Sequence, residues 1–280
     1  MAFEDRYRQD RHGSKIDCLL FDLDETLYPL SCGLSQDVLK NIGGYMHEKL
    51  GIEESKILDL CNLLYKNYGT TMAGLRAIGY GFDYDDYHSY VHGRLPYEKI
   101  KPDPVLRHLL LSIPIRKLIF TNADRIHAVK ALSRLGLEDC FEGIICFETL
   151  NAPMDEPINA DNIFDIIKFS SQGMDGVELP KTPIICKPSE FAIEYALKIA
   201  DINPHKAIFF DDSVRNIQSG KRVGLHTVLV GTSHRVKGAD HALESIHNIR
   251  EALPELWEEA EKIENARYSG KVVIETPVTA

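Results

Sequence analysis

Two carboxylates one residue apart, Asp22 and Asp24, close an apolar run at 16–21. Along an extended chain alternate residues face the same way, so both acids point together while Leu23 turns aside. Like charges on one face repel, and a divalent cation, an anionic substrate held through that cation, or a proton on one carboxyl would each compensate them. Thr26 adds a hydroxyl able to hydrogen-bond an oxyanion or fix a carboxylate. A strand running into a solvated acidic turn would look the same in isolation, so the remainder of the chain must decide.

The same grammar recurs. The apolar run at 116–120 ends in Thr121 and Asn122, and the run at 206–210 ends in Asp211, Asp212 and Ser213. Lys187 precedes Pro188 and Ser189, which read as the start of a helix. A lone lysine is ordinarily a snorkelling surface residue; beside four carboxylates it has an electrostatic role. To bring these groups together, the runs must be neighbouring strands of a sheet. Helical spacing at 124–135, with Asp124 at its N-terminus, and at 189–199 separates them, and further strands are expected at 143–147 and 226–230. Strands alternating with helices predict an α/β fold, a doubly wound parallel sheet of Rossmann-like type, whose ligands sit beyond the carboxyl ends of the strands.

Between the first and second runs the periodicity changes. Val38, Leu39, Ile42, Tyr45, Met46 and Leu50 share one helical face, closed by Gly51, and Ile57, Leu60, Leu64 and Tyr68 share another. Further helices are expected at 72–78 and 84–92. The block reads as a small helical cap domain at 31–101, inserted into a core made of 15–30 and 102–264. Residues 1–14 and 265–280 read as mobile ends. The stretch 148–183 has no clear place; four prolines punctuate it, and 162–169 could form a short helix. An inert surface insertion is the reading favoured there, with a flap over the site or a subunit contact as alternatives.

Composition narrows the function. The net charge of −10 argues against nucleic acid or an anionic membrane as partner. No apolar run reaches the roughly 20 residues that span a bilayer, and the polar N-terminus is not a secretory signal. The six cysteines form no Cys-x-x-Cys, and Cys18, Cys146 and Cys186 lie in apolar runs; reduced thiols in a cytoplasmic protein are expected. No Gly-rich phosphate loop precedes a Lys-Ser/Thr pair. His88, His92 and His108 read as surface or packing residues rather than metal ligands. Tyr45, Tyr65 and Tyr68 read as cap core, one of them able to stack on a base, and Arg94 as a surface arginine.

The ordered set Asp-x-Asp-x-Thr, Thr-Asn, Lys-Pro and Asp-Asp-Ser resembles the haloacid dehalogenase-like hydrolase superfamily, and its helical insert resembles that superfamily's small cap. The segments Phe-Asp-Leu-Asp-Glu-Thr-Leu-Tyr-Pro-Leu, Tyr68-Gly69-Thr70-Thr71 and Asp211-Asp212-Ser213-Val214-Arg215-Asn216-Ile217 resemble its pyrimidine 5'-nucleotidase-like branch. The resemblance implies Asp22 as nucleophile and Asp24 as general acid and base. It also implies Mg²⁺ on Asp22, the Asp24 carbonyl and Asp212, with Asp211 in support. Thr121 and Asn122 would hold phosphoryl oxygens, and Lys187 would neutralise charge. Thr26 and Thr70 are further candidates for phosphate and leaving-group contacts. Asp24 separates phosphoryl transfer from dehalogenation, which does not need that acid. Asn216 stands where many relatives carry a second acid. The expected activity is an Mg²⁺-dependent phosphatase for a small phosphorylated metabolite, a nucleoside 5'-monophosphate by preference. The alternatives are a sugar-phosphate or phosphoglycolate-type phosphatase, or a non-catalytic regulatory protein on the same fold.

Overall fold

The run ending in the two carboxylates forms β1 (Cys18–Phe21), and all four residues are buried. A strand covered on both faces belongs inside a parallel sheet. The computed structural model, which describes residues 16–152, 163–172 and 178–257, places it there. The other strands are β2 (Arg116–Phe120), β3 (Gly143–Ile145), β4 (Ala207–Asp211), β5 (His226–Val230) and β6 (His241–Leu243). Their order is β3-β2-β1-β4-β5-β6, every pairing parallel, with Cys18 opposite both Arg116 and Ala207. The chain winds outward from β1 in one direction, then returns to β4 and winds outward in the other. The crevice at such a reversal is where doubly wound sheets bind ligands. Here it lies between the ends of β1 and β4.

Alternation along β1 builds two cores. Leu19 and Phe21 face α5 (Pro104–Ser112) and α6 (Arg125–Leu135), whereas Cys18 and Leu20 face α9 (Glu190–Ile199) and α10 (Val214–Val223). Phe21 stacks on Phe210 of β4 with ring centroids 4.5 Å apart. Each fully buried large apolar side chain contributes about 1.5–3 kcal/mol, so the strand ends that carry the polar residues rest on a rigid platform.

Four cap helices follow β1: α1 (Leu34–Glu48), α2 (Glu54–Tyr68), α3 (Thr71–Ala77) and α4 (Tyr84–Val91). They match the expected helices to within a few residues. Their faces meet in a cluster centred on Tyr45, Met46, Leu64, Leu75 and Tyr87. That cluster also takes in Phe147 at the start of α7 (Phe147–Leu150), Ile166 in α8 (Ile166–Gln172), and Ile184 and Cys186. Phe164 N donates to the Ile78 carbonyl at 2.9 Å, and Thr182 Oγ1 to the Ala73 carbonyl at 2.7 Å. Within the 148–183 stretch, Phe164, Ile166 and Thr182 thus pack on the cap, while Leu150 joins the core beneath the sheet; residues 153–162 and 173–177 lie outside the described residues, as do the two expected mobile ends.

Helix α5 was not anticipated from periodicity, although Asp103 caps it (Leu106 N to Asp103 Oδ1, 2.8 Å) and Pro104 opens it. The three-residue β6 and the four-residue α11 (Ile249–Ala252) are too short to show a period. Among the described residues no helix is long and apolar enough to cross a membrane.

Candidate active site

Directly beyond β1, Asp22 N still donates to the Phe210 carbonyl of β4 at 2.8 Å, so the sheet ladder fixes the backbone that carries this acid. The next turn holds Glu25 at φ 63°, a left-handed conformation that a residue with a side chain adopts at some cost. It turns Thr26 back so that Oγ1 donates to Asp22 Oδ2 at 3.4 Å.

Lys187 is 1 % exposed, and it does not snorkel. Its Nζ donates to Asp22 Oδ1 at 2.7 Å, to Asp211 Oδ2 at 2.7 Å and to the Phe120 carbonyl at 2.8 Å. All three ammonium protons are thus used, one on each of the three central strands' ends. Burial alone would lower the lysine's proton affinity, but the Asp211 and Asp22 carboxylates outweigh it and hold the ammonium charged. The carboxamide of Asn122 clamps the same residue: Lys187 N donates to Oδ1 at 2.9 Å and Nδ2 donates to the Lys187 carbonyl at 3.0 Å. Asn122, expected to hold phosphoryl oxygens, therefore has its carboxamide engaged in positioning the lysine. Thr121 is buried, its hydroxyl accepting from Ala123 N at 3.0 Å.

Asp211 is equally committed. Besides Lys187 it accepts from Ser213 N at 2.8 Å and from Asn216 Nδ2 at 3.0 and 3.1 Å. Asn216 thus braces this carboxylate. One oxygen each of Asp22, Asp211 and Asp212 lies within 4.8 Å of the others. Burial and then mutual repulsion raise the proton affinities of Asp22 and Asp212, with Lys187 offsetting part of the effect. An all-oxygen set with surplus negative charge fits a hard divalent cation such as Mg²⁺.

Asp24 faces a different environment. Its Oδ1 lies 2.7 Å from His127 Nε2 and also accepts from the Tyr28 hydroxyl. His127 is buried at the start of α6, and its Nδ1 lies 2.9 Å from the Tyr97 hydroxyl. Burial disfavours both charges, yet the ion pair wins: Asp24 is held below the ordinary carboxyl range and His127 above the ordinary imidazole range. Two carboxylates separated by one residue consequently have opposite electrostatics: burial favours a proton on Asp22, whereas Asp24 is held ionised against a protonated His127.

A cavity of about 320 Å³ opens between this edge and the cap. Asp22, Asp24, Thr121, Asn122, Lys187 and Asp212 line its floor, and Tyr65, Thr70, His88 and His92 are among the cap residues that line it. Gly69, at φ 89°, brings the cap turn onto the lysine motif; a Cβ there would lie 2.4 Å from the Lys187 carbonyl oxygen and 2.5 Å from Pro188 Cδ. Thr70 Oγ1 accepts from Ala73 N at 3.0 Å and so caps α3. Tyr45 is cap core, as expected, whereas Tyr65 is half exposed at the cavity, under the guanidinium of Arg215. Arg94 is exposed and lies over the Tyr90 ring, 3.6 Å from its centroid. His108 is exposed on α5, in keeping with its expectation. His88 and His92, expected as surface or packing residues, both line the cavity, and His88 packs on Phe147. His127 was not singled out at all. The signals available were the i, i+4 spacing of the first two and the position of His127 three residues after the Asp124 cap.

A family model described as haloacid dehalogenase-like hydrolase matches residues 16–224. Phosphate metabolism protein 8 of Saccharomyces cerevisiae is 26% identical over 218 residues, covering 75% of this chain and 60% of that relative's length. Among solved structures, a HAD phosphatase from Thermococcus onnurineus aligns with a TM-score of 0.51 at 17% identity, covering 85% of this chain and 98% of its own. The magnesium-bound HAD-hydrolase YfnB of Bacillus subtilis aligns with a TM-score of 0.50 at 16% identity, covering 86% and 99%. The sheet order, the polar strand ends and the family match agree, and the chain belongs to the haloacid dehalogenase-like hydrolase family.

Proposed function

We propose that this hydrolase is an Mg²⁺-dependent phosphomonoesterase that works through an aspartyl-phosphate on Asp22. The observation that carries the reading is the contrast between the two acids: Asp22 is tied to a buried lysine, whereas Asp24, two residues on, is paired with a proton-bearing imidazole. The lysine orients the Asp22 carboxylate for attack, and the proton that the leaving oxygen needs is held on His127, in contact with the ionised Asp24.

In the first step an Asp22 oxygen attacks phosphorus, and the bond to the ester oxygen breaks. That oxygen takes the proton held by the Asp24–His127 pair. In the second step Asp24 accepts a proton from water, whose oxygen attacks phosphorus and releases Asp22. Lys187 holds Asp22 in line and spreads positive charge along the strand ends, and the Thr121 hydroxyl is free to donate to a phosphoryl oxygen. Asp22, Asp212 and the Asp24 carbonyl would hold Mg²⁺, with Asp211 bracing the set; bound there, the ion supplies charge stabilisation for the phosphoryl group. Phosphate-ester hydrolysis is slow enough uncatalysed to require such concentrated charge.

For the leaving group, a nucleoside 5'-monophosphate is favoured. The cavity volume falls in the range of small-molecule sites, and Tyr65 offers an aromatic face beside it. The yeast relative's name, which concerns phosphate metabolism, agrees with a phosphorylated metabolite. The six unpaired cysteines favour a reducing, cytoplasmic setting. The test is phosphate release from a panel of nucleotides, sugar phosphates and phosphoglycolate, with Mg²⁺ and with EDTA. Release from nucleoside monophosphates, abolished by EDTA, is expected; preference for a sugar phosphate would reassign the substrate, and no release from any ester would leave the non-catalytic reading.

A further inference from the structure

Beside the Asp24–His127 pair lies a second polar cluster that the chemistry above does not use. His88 belongs to cap helix α4, His92 follows its last turn, and Asp124 caps core helix α6. His88 is 7 % exposed, yet neither of its ring nitrogens has a hydrogen-bond partner among the described residues. A buried imidazole normally satisfies at least one of them. Its Nδ1 lies 3.5 Å from Asp124 Oδ1, and His92 Nδ1 contacts the same oxygen. Donor atoms of all three residues lie within 4.8 Å of one another. Asp124 is itself held in place, because its Oδ2 accepts from His127 N at 3.1 Å.

We propose that His88, His92 and Asp124 form a binding site for a divalent transition-metal ion of the Zn²⁺ class, which fastens the cap to the core at the edge of the catalytic cavity. Two imidazoles and a carboxylate select this class over Mg²⁺, which prefers an all-oxygen set. The spacing of His88 and His92, with three residues between them, is a common one for zinc-binding histidines. In a tetrahedral site with metal–ligand distances of about 2.0–2.1 Å, neighbouring donors stand roughly 3.3 Å apart. The 3.5 Å between His88 Nδ1 and Asp124 Oδ1 is close to that edge, whereas the His92 Nδ1–Asp124 Oδ1 contact is shorter than it, so a bound ion would part that pair and replace its shared proton. The alternative, a hydrogen-bonded His92–Asp124 pair with His88 as packing, leaves the His88 nitrogens unexplained. Three protein ligands also leave a coordination position open, and His88 and His92 both line the cavity.

The test uses the full chain, stripped of metal and then saturated with Mg²⁺ so that the all-oxygen site is filled. Co²⁺ is titrated as a spectroscopic probe and Zn²⁺ as competitor. Expected are visible d–d bands that saturate at one equivalent of Co²⁺ and disappear with Zn²⁺. His88→Gln and His92→Gln should each weaken Co²⁺ binding roughly tenfold or more. Asp212→Asn, which alters the other acidic set, should leave the bands in place. Circular dichroism checks that each variant is folded, and the wild-type titration stands whether or not a variant folds. Absence of the bands in the Mg²⁺-saturated wild type, or wild-type affinity in both histidine variants, would overturn the site. The readout is binding, so it is independent of whether the enzyme hydrolyses any phosphate ester.

Discussion

Asp22 and Asp24 are chemically identical side chains made different by their surroundings. Asp22→Asn keeps the shape but replaces a nucleophilic carboxylate by an amide, so phosphate release should vanish while the circular dichroism spectrum stays the same. Retention of even a tenth of wild-type turnover in a folded variant would remove Asp22 from that role. Asp24→Asn should reduce hydrolysis of an alkyl phosphate by roughly 10²–10⁴-fold, and that of an activated aryl phosphate much less, because a good leaving group scarcely needs a proton. Equal losses on the two substrates in single-turnover experiments would contradict the general-acid role. His127 acts through Asp24. His127→Gln should show the same leaving-group dependence in weaker form, together with a shifted pH–rate profile; a uniform loss with an unshifted profile would indicate a structural part only.

At the scale of elements, the α2–α3 turn of the cap rests directly on the segment that carries Lys187. Gly69 sits in the left-handed region against the Lys187 carbonyl. Gly69→Ala therefore strains the backbone and pushes on the segment that carries Lys187. A loss of about 1–3 kcal/mol in urea unfolding is expected, together with reduced kcat. Unchanged stability would mean that the turn yields without cost. The proposed substrate preference assigns recognition of the leaving group to the cap face. Tyr65→Ala should lower kcat/KM for nucleoside monophosphates more than for a small sugar phosphate, and an unchanged ratio would place recognition elsewhere. Thr70→Val is a poorer probe, because it also deletes the cap of α3, worth about 1 kcal/mol; Thr70→Ser keeps the cap and is the matching control.

For the molecule as a whole, the acidic set at the β1–β4 crevice ties stability to pH and to divalent cations. Burial and repulsion raise the Asp22 and Asp212 proton affinities in the folded state. From the ordinary carboxyl range up through neutrality, the folded protein then holds protons that the unfolded chain has released. Stability of the metal-free protein must fall as pH rises across that window. A cation that binds the ionised carboxylates acts in the opposite sense. Mg²⁺ at about 100 times its Kd should add roughly 2.7 kcal/mol near pH 8 and much less near pH 5, and Asp212→Asn should remove most of the difference. A rise in Tm with Mg²⁺ that is equal at both pH values would show that the ion binds elsewhere.

Local pattern was enough for the architecture. Apolar runs ending in polar residues marked β1, β2 and β4, and changes of period marked the cap helices, because strand and helix are set by neighbours within a few positions. The ordered motifs were enough for the family. Asn122, expected on the substrate, turned out to clamp Lys187 from 65 residues away. His127 meets Asp24 across 103 residues. His88 and His92 looked like ordinary cap histidines until the fold set them against Asp124. Such pairings carry no local periodicity; they exist only once the sheet order and the seating of the cap bring remote segments together. Which residues could do chemistry was therefore written in the sequence, and which of them face one another was decided by tertiary packing.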